Sequence, residues 1–103
     1  MAQQDTIGKH RTTIAMDGNN LVVTYQNTQV VKVLEHGSND QTVILDSGTW
    51  RTSTTKTRMN QTANEFGLGF YVHQRDYEWF VKVNNTILPF SDGMQFSVPS
   101  SEY

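Results

Sequence analysis

The chain has no cysteine. That removes disulfide bonds, thiol nucleophiles and every zinc or iron–sulfur site built on thiolates. Proline is nearly absent too, with two in 103 residues, and no repeat or low-complexity block appears. Charge is scarce: Asp, Glu, Lys and Arg make up 17% of the chain, the formal net charge is −2 and the isoelectric point is near 5.8. A domain that holds nucleic acid by its overall charge should be basic, so that partner class is disfavoured. No apolar run approaches the ~18 residues that would span a bilayer, so no membrane partner is expected. Met1 to Arg11 lacks the apolar core of a secretory signal. A cytoplasmic location follows as the expectation.

Neutral polar side chains take the place of charge, thirteen threonines foremost, with many Asn and Gln. Hydrophobic residues form 36% of the chain, and a chain of this length buries roughly 65% of its unfolded surface. One modest core is within reach without staples. Residues 1–11 show no periodicity and read as a mobile leader; residues 12–103 read as a single domain.

From Thr12 the pattern is short β-prone runs between turn residues. Thr12–Met16 is a weak strand closed by Asp17-Gly18-Asn19-Asn20, residues that reach positive φ cheaply. Leu21–Tyr25, Gln29–Glu35 and Gln41–Asp46 follow as β-branched runs, giving an antiparallel meander of about four strands. The period then changes. Thr52, Ser53 and Thr54 offer N-cap hydroxyls, Met59, Ala63 and Phe66 recur at helical spacing, and Gly67 suits a helix end. The spacing predicts one α-helix near 54–66.

After Gly67 alternation returns. In Gly69–Arg75, Phe70 and Val72 share one face, Tyr71 and His73 the other. In Tyr77–Val83, Tyr77, Trp79, Val81 and Val83 oppose Glu78, Phe80 and Lys82, with Arg75-Asp76 as the expected turn. Asn84-Asn85 reads as a two-residue hairpin, and Thr86–Phe90 and Met94–Val98 as short strands, the first an edge strand because of Pro89. The expected class is α+β: meander, helix, second meander. A half-closed barrel is the alternative.

Two regions carry the candidate binding residues. Trp50, Arg51, Lys56 and Arg58 lie in a stretch with no acidic residue between Asp46 and Glu65. Cations are unfavourable at a helix start, so an anion or phosphate site is one reading. Ordinary capping, with a core-anchoring Trp50 and solvated cations, is the other. The second region is aromatic: Tyr71, His73 and Phe80 alternate outward if Phe70, Val72, Trp79 and Val81 point inward. Such a face suits a protein interface, base stacking or a further sheet layer.

The stretch from Gly48 to Asn60, preceded by Val43-Ile44-Leu45-Asp46, resembles a family of small tailed-bacteriophage proteins. In that family a strand runs into Gly-Trp-x-Thr-x-Thr-Thr-Lys-x-Arg-x-Asn. Gly69, Gln74, Trp79 and Val81 extend the likeness, which covers about residues 40 to 92. It departs at Thr49, where a second glycine is expected. The resemblance implies a viral origin, and hence a host cytoplasm or a virion. It implies no activity and transfers no functional residue.

Catalysis is not expected. His10, His36 and His73 fall in unrelated segments, no nucleophile elbow is present, and Gly67 and Gly69 follow a helix, the wrong order for a dinucleotide loop. Neither a metal nor a cofactor is implied. The functional expectation is a small non-catalytic phage accessory protein that binds a host or viral macromolecule, with a protein as the favoured partner. A nucleic-acid or nucleotide binder using the basic Trp50–Arg58 segment, and a self-associating virion component, are the alternatives.

Overall fold

The computed structural model describes residues 11–37, 40–49 and 51–98; the expected leader therefore lies, apart from Arg11, outside the described residues. Within them the chain forms β1 (Thr12–Asp17), β2 (Asn20–Tyr25), β3 (Thr28–Leu34), β4 (Gln41–Leu45), α1 (Ser53–Phe66), β5 (Phe70–Arg75), β6 (Glu78–Val83), β7 (Thr86–Pro89) and β8 (Met94–Val98). The expected α+β order of meander, helix and second sheet holds. Both sheets are antiparallel, and among the described residues they do not close into a barrel. One has five strands in the order β1-β2-β3-β4-β8; the other has three, β5-β6-β7.

The last strand makes the connection that local patterning does not encode. β8 leaves the second sheet and pairs with β4, Gln41 opposite Val98 and Leu45 opposite Met94. Pro89 sits on β7, an edge strand, as its missing N–H requires. Between β2 and β3 the register slips after Val23, leaving Val30 without a counterpart in β2, though its carbonyl accepts from the Asp46 N–H at 3.2 Å; Val30 and Val31 are both fully buried.

The turns follow backbone chemistry with one shift. Asn84 and Asn85 both take positive φ, the two-residue hairpin expected of them. The β5–β6 turn falls on Asp76-Tyr77, not Arg75-Asp76. Both turn residues have positive φ, and Arg75 pairs with Glu78. Tyr77, expected beside Trp79, is instead 95% exposed at the tip.

The core lies between the sheets and the helix. Leu21, Val23, Val31, Val33, Val43 and Leu45 come from the first sheet, Phe70, Val72, Trp79, Val81 and Val83 from the second, and Met59 and Ala63 from α1. Phe70 of β5 meets Phe96 of β8 edge-on at 5.5 Å, which ties the two sheets together, and within the second sheet Trp79 meets Phe90 at 5.3 Å. The helix begins at the Thr52 cap, whose side chain accepts from the Thr55 N–H, and ends at Gly67 in the left-handed region.

α1 touches both sheets, β5 on one side and β2 and β3 on the other. Its buried surface is therefore wider than the Met59–Ala63–Phe66 stripe. Thr55, Arg58, Asn60, Gln61 and Thr62 are buried as well. Asn60 is the most informative of these. Its side-chain oxygen accepts from the Val72 N–H at 2.7 Å and its amide donates to the Val72 carbonyl at 2.9 Å. One amide side chain thus supplies the two bonds a neighbouring strand would give, and it seals the outer edge of β5.

Candidate functional site: the outer face of the second sheet

Alternation fixes what the second sheet presents to solvent. With Phe70, Val72, Trp79, Val81 and Val83 buried in the core, the opposite face carries Tyr71, His73, Arg75, Glu78, Phe80, Lys82 and Ile87. Cross-strand register arranges them in rows. Tyr71 stands opposite Lys82, which stands opposite Ile87; His73 stands opposite Phe80, which stands opposite Pro89. Tyr71 and His73 stack at 6.0 Å with planes 12° apart, and His73 stacks on Phe80 at 5.8 Å and 28°. Tyr71 is 51% exposed and Ile87 58%. No described element covers this ladder, so it is neither core nor the inner side of a further layer. Three sequence-selected residues, Tyr71, His73 and Phe80, meet here in one surface. Ile87 completes it; its place opposite Lys82 depends on the Asn84-Asn85 turn setting the register.

The basic segment behaves differently. Trp50 lies outside the described residues. Arg51 is exposed, with its guanidinium carbon 5.0 Å above the Phe90 ring. The Lys56 ammonium lies 5.9 Å from the Trp79 ring centre and donates to Gln74 Oε1 at 3.4 Å. Arg58 turns to the first sheet. Its Nε donates to Thr12 Oγ1 at 2.9 Å, its Nη1 to Gln61 Oε1 at 3.2 Å, and it lies 5.7 Å over Tyr25. Arg51 and Lys56 thus lie over two rings that touch each other, Phe90 and Trp79, whereas Arg58 is engaged by Thr12, Gln61 and Tyr25.

A carboxylate that patterning did not single out organises the same junction. Asp92, between β7 and β8, accepts from the Ser47 N–H at 2.8 Å and the Ser47 hydroxyl at 2.7 Å. Burial pushes its pKa up, but the Ser47 side-chain and backbone bonds, the nearby Arg51 charge and the Thr49 N–H together hold it below the usual carboxylate value. Asp46 accepts from the Gly48 N–H at 2.7 Å, and Gly48 and Thr49 both take positive φ, 64° and 70°. Thr49 occupies a conformation that favours glycine, which gives a physical sense to the glycine expected there. A cavity of about 250 Å³ beside this loop is lined by Tyr25, Gln26, Thr28, Val30, Ser47, Thr52 and Thr55. Its walls are neutral, rich in hydroxyls, and Thr52 and Thr55 bond each other. Among the described residues no cluster of three or more His, Asp or Glu side chains could hold a metal ion, and no helix is long and apolar enough to cross a membrane.

Comparison with known proteins places the chain. The model of the Kyanoviridae Gp96 protein family matches residues 1–97. The chain belongs to this family. It is a small phage protein, in keeping with the viral origin that the resemblance implies. No curated protein and no solved structure matches it. For this Gp96 family member the functional reading therefore rests on its own surface chemistry.

Proposed function

We propose that this Gp96 family protein acts without catalysis, by binding a host or viral protein through the outer face of its second sheet. The observation that carries the reading is the outward-facing ladder of exposed Tyr71 and half-buried His73 and Phe80, extended by exposed Ile87, on a sheet whose other face lies in the core. Aromatic side chains bring large contact area at low entropic cost, and they dominate binding energy where a partner excludes water. The flanking charges are of both signs, Arg75 and Glu78 at one end and Lys82 at the other. That mixture suits a polar rim around an apolar centre better than a phosphate backbone. Arg58 is engaged by Thr12 and Gln61, which leaves two cations of the segment rather than three for phosphate and further favours a protein over a nucleic acid. The site of action is the host cytoplasm.

Capture from phage-infected cells tests this, with wild-type protein and a Tyr71→Ala/Phe80→Ala variant, each with and without nuclease. A stoichiometric protein that survives nuclease and is lost with the variant is expected. Each single truncation should weaken binding by more than ~1 kcal/mol while leaving the thermal melt intact. Capture that vanishes with nuclease, or that the face variant leaves unchanged, refutes the reading. Loss on nuclease would transfer the role to nucleic acid.

A further inference from the structure

We propose that, until another partner arrives, two copies of the chain cover each other's outer face of the second sheet, packed sheet to sheet about a two-fold axis. This rests on the reading of that face as a binding surface, and adds that the chain competes for it with its own copy. An exposed apolar patch rimmed by charge marks an interaction site, and here the rim has a pattern. Along β6, Glu78, Phe80 and Lys82 point outward in succession, so opposite charges flank one aromatic ring. On β5, Arg75, His73 and Tyr71 stand opposite them in the same order.

That pattern separates the two symmetric ways in which a pair of such faces can meet. A two-fold axis along β6 lays Lys82 on the partner's Lys82 and Glu78 on the partner's Glu78, like charge on like. An axis across the strands, through the row His73–Phe80–Pro89, turns one copy end for end. Lys82 then meets the partner's Glu78, and Glu78 meets the partner's Lys82. The ring of Tyr71 receives the partner's Arg75, a cation–π contact made twice. Phe80 lies on the partner's Phe80 at the axis, where aromatic pairs contribute most. The face is therefore complementary to itself in charge and in apolar surface, in one orientation only.

Stacked sheets lie within about 30° of alignment, which displaces residues one row from the axis by about 3.5 Å. Lys and Arg side chains reach across that distance. Three strands about 4.8 Å apart and three rows about 7 Å apart make a patch of about 300 Å² on each copy. Such a patch is at the small, transient end of specific interfaces, so a dimer that dissociates on dilution is expected, and a better-fitting partner displaces it.

Sedimentation equilibrium of the purified full chain over a concentration series tests this, with Lys82→Glu, Glu78→Lys and the double swap, both positions being exposed. A reversible monomer–dimer equilibrium is expected. Each single swap turns two attractive pairs repulsive and should raise the dissociation constant about tenfold, with a cooperative melt retained. The double swap should return it toward wild type. A wild-type chain that stays monomeric at the highest concentration overturns the proposal. So does a dimer insensitive to both single swaps, or one that the double swap fails to restore. The two readings of the face fail separately: a monomer that still captures a host protein overturns self-association alone, and a dimer that captures none supports self-association and refutes the heterologous partner.

Discussion

Asn60→Ala strips Val72 of both backbone partners at once. Val72 is fully buried and Asn60 is 6% exposed, so water has no easy route to the freed N–H and C=O. Each unsatisfied buried backbone group costs about 1–3 kcal/mol, and partial relaxation of the β5 edge recovers some of it. The expected loss is about 3 kcal/mol, a large part of the ~5–15 kcal/mol available to a domain. For a chain this size that lowers the melting temperature by about 15 °C. Urea unfolding followed by tryptophan fluorescence measures it, since Trp79 is buried in the same core. Asn60→Asp sharpens the test. The carboxylate keeps the bond from the Val72 N–H but faces the Val72 carbonyl without a proton to give. Its folded-state pKa must therefore rise above the unfolded value near 3.9. The sign is the reverse of an ordinary paired aspartate: the variant is weakest at neutral pH and regains stability as pH falls through that raised pKa. An alanine variant that loses less than ~1 kcal/mol would refute the view that Asn60 stands in for a strand.

Asp92→Asn should remove part of the acid sensitivity of the fold. The folded pKa of Asp92 is lowered, so its contribution is present above the unfolded value near 3.9 and is lost as pH falls through the lower folded value; stability-versus-pH curves of the two proteins should converge at acid pH. Thr49→Gly and Tyr77→Gly each replace a side chain held at φ 70°. Each should raise stability by about 0.5–1 kcal/mol in denaturant titrations, and a loss in both would mean that these side chains make contacts outweighing the backbone strain.

Much of the fold was legible because period and turn chemistry are local. The eight strands and the helix fall within a residue or two of their expected ranges. The inward set Phe70, Val72, Trp79, Val81 and Val83 follows from alternation alone, and with it the outward Tyr71, His73 and Phe80. What local pattern does not carry is partnership. Nothing in Met94–Val98 names β4 as its neighbour, so the contact between Asp92 and Ser47 was out of sight. Arg58 looked like a surface cation because a helical wheel assumes one buried face. Contact with both sheets buries a second, polar face, where Arg58 and Asn60 find hydrogen-bond partners instead of water. Tyr77 moved to the turn because the two-residue loop closes on Arg75 and Glu78, one position later than charge and polarity suggested.

The pairing of β8 with β4 also governs how the chain can reach its native state. Gln41–Leu45 must wait for Met94–Val98, about fifty residues later in the chain, before its second edge is occupied. The helix and all of the second sheet lie inside that loop. Closing so long a loop is entropically expensive before its contacts reward it, so the slow step of folding should be the arrival of β8 rather than formation of any of the sequential hairpins. The same closure interleaves the two sheets, so neither half of the chain holds a complete five-stranded layer. A cut between α1 and β5 should therefore leave two fragments that complement each other in trans, with neither folding fully alone.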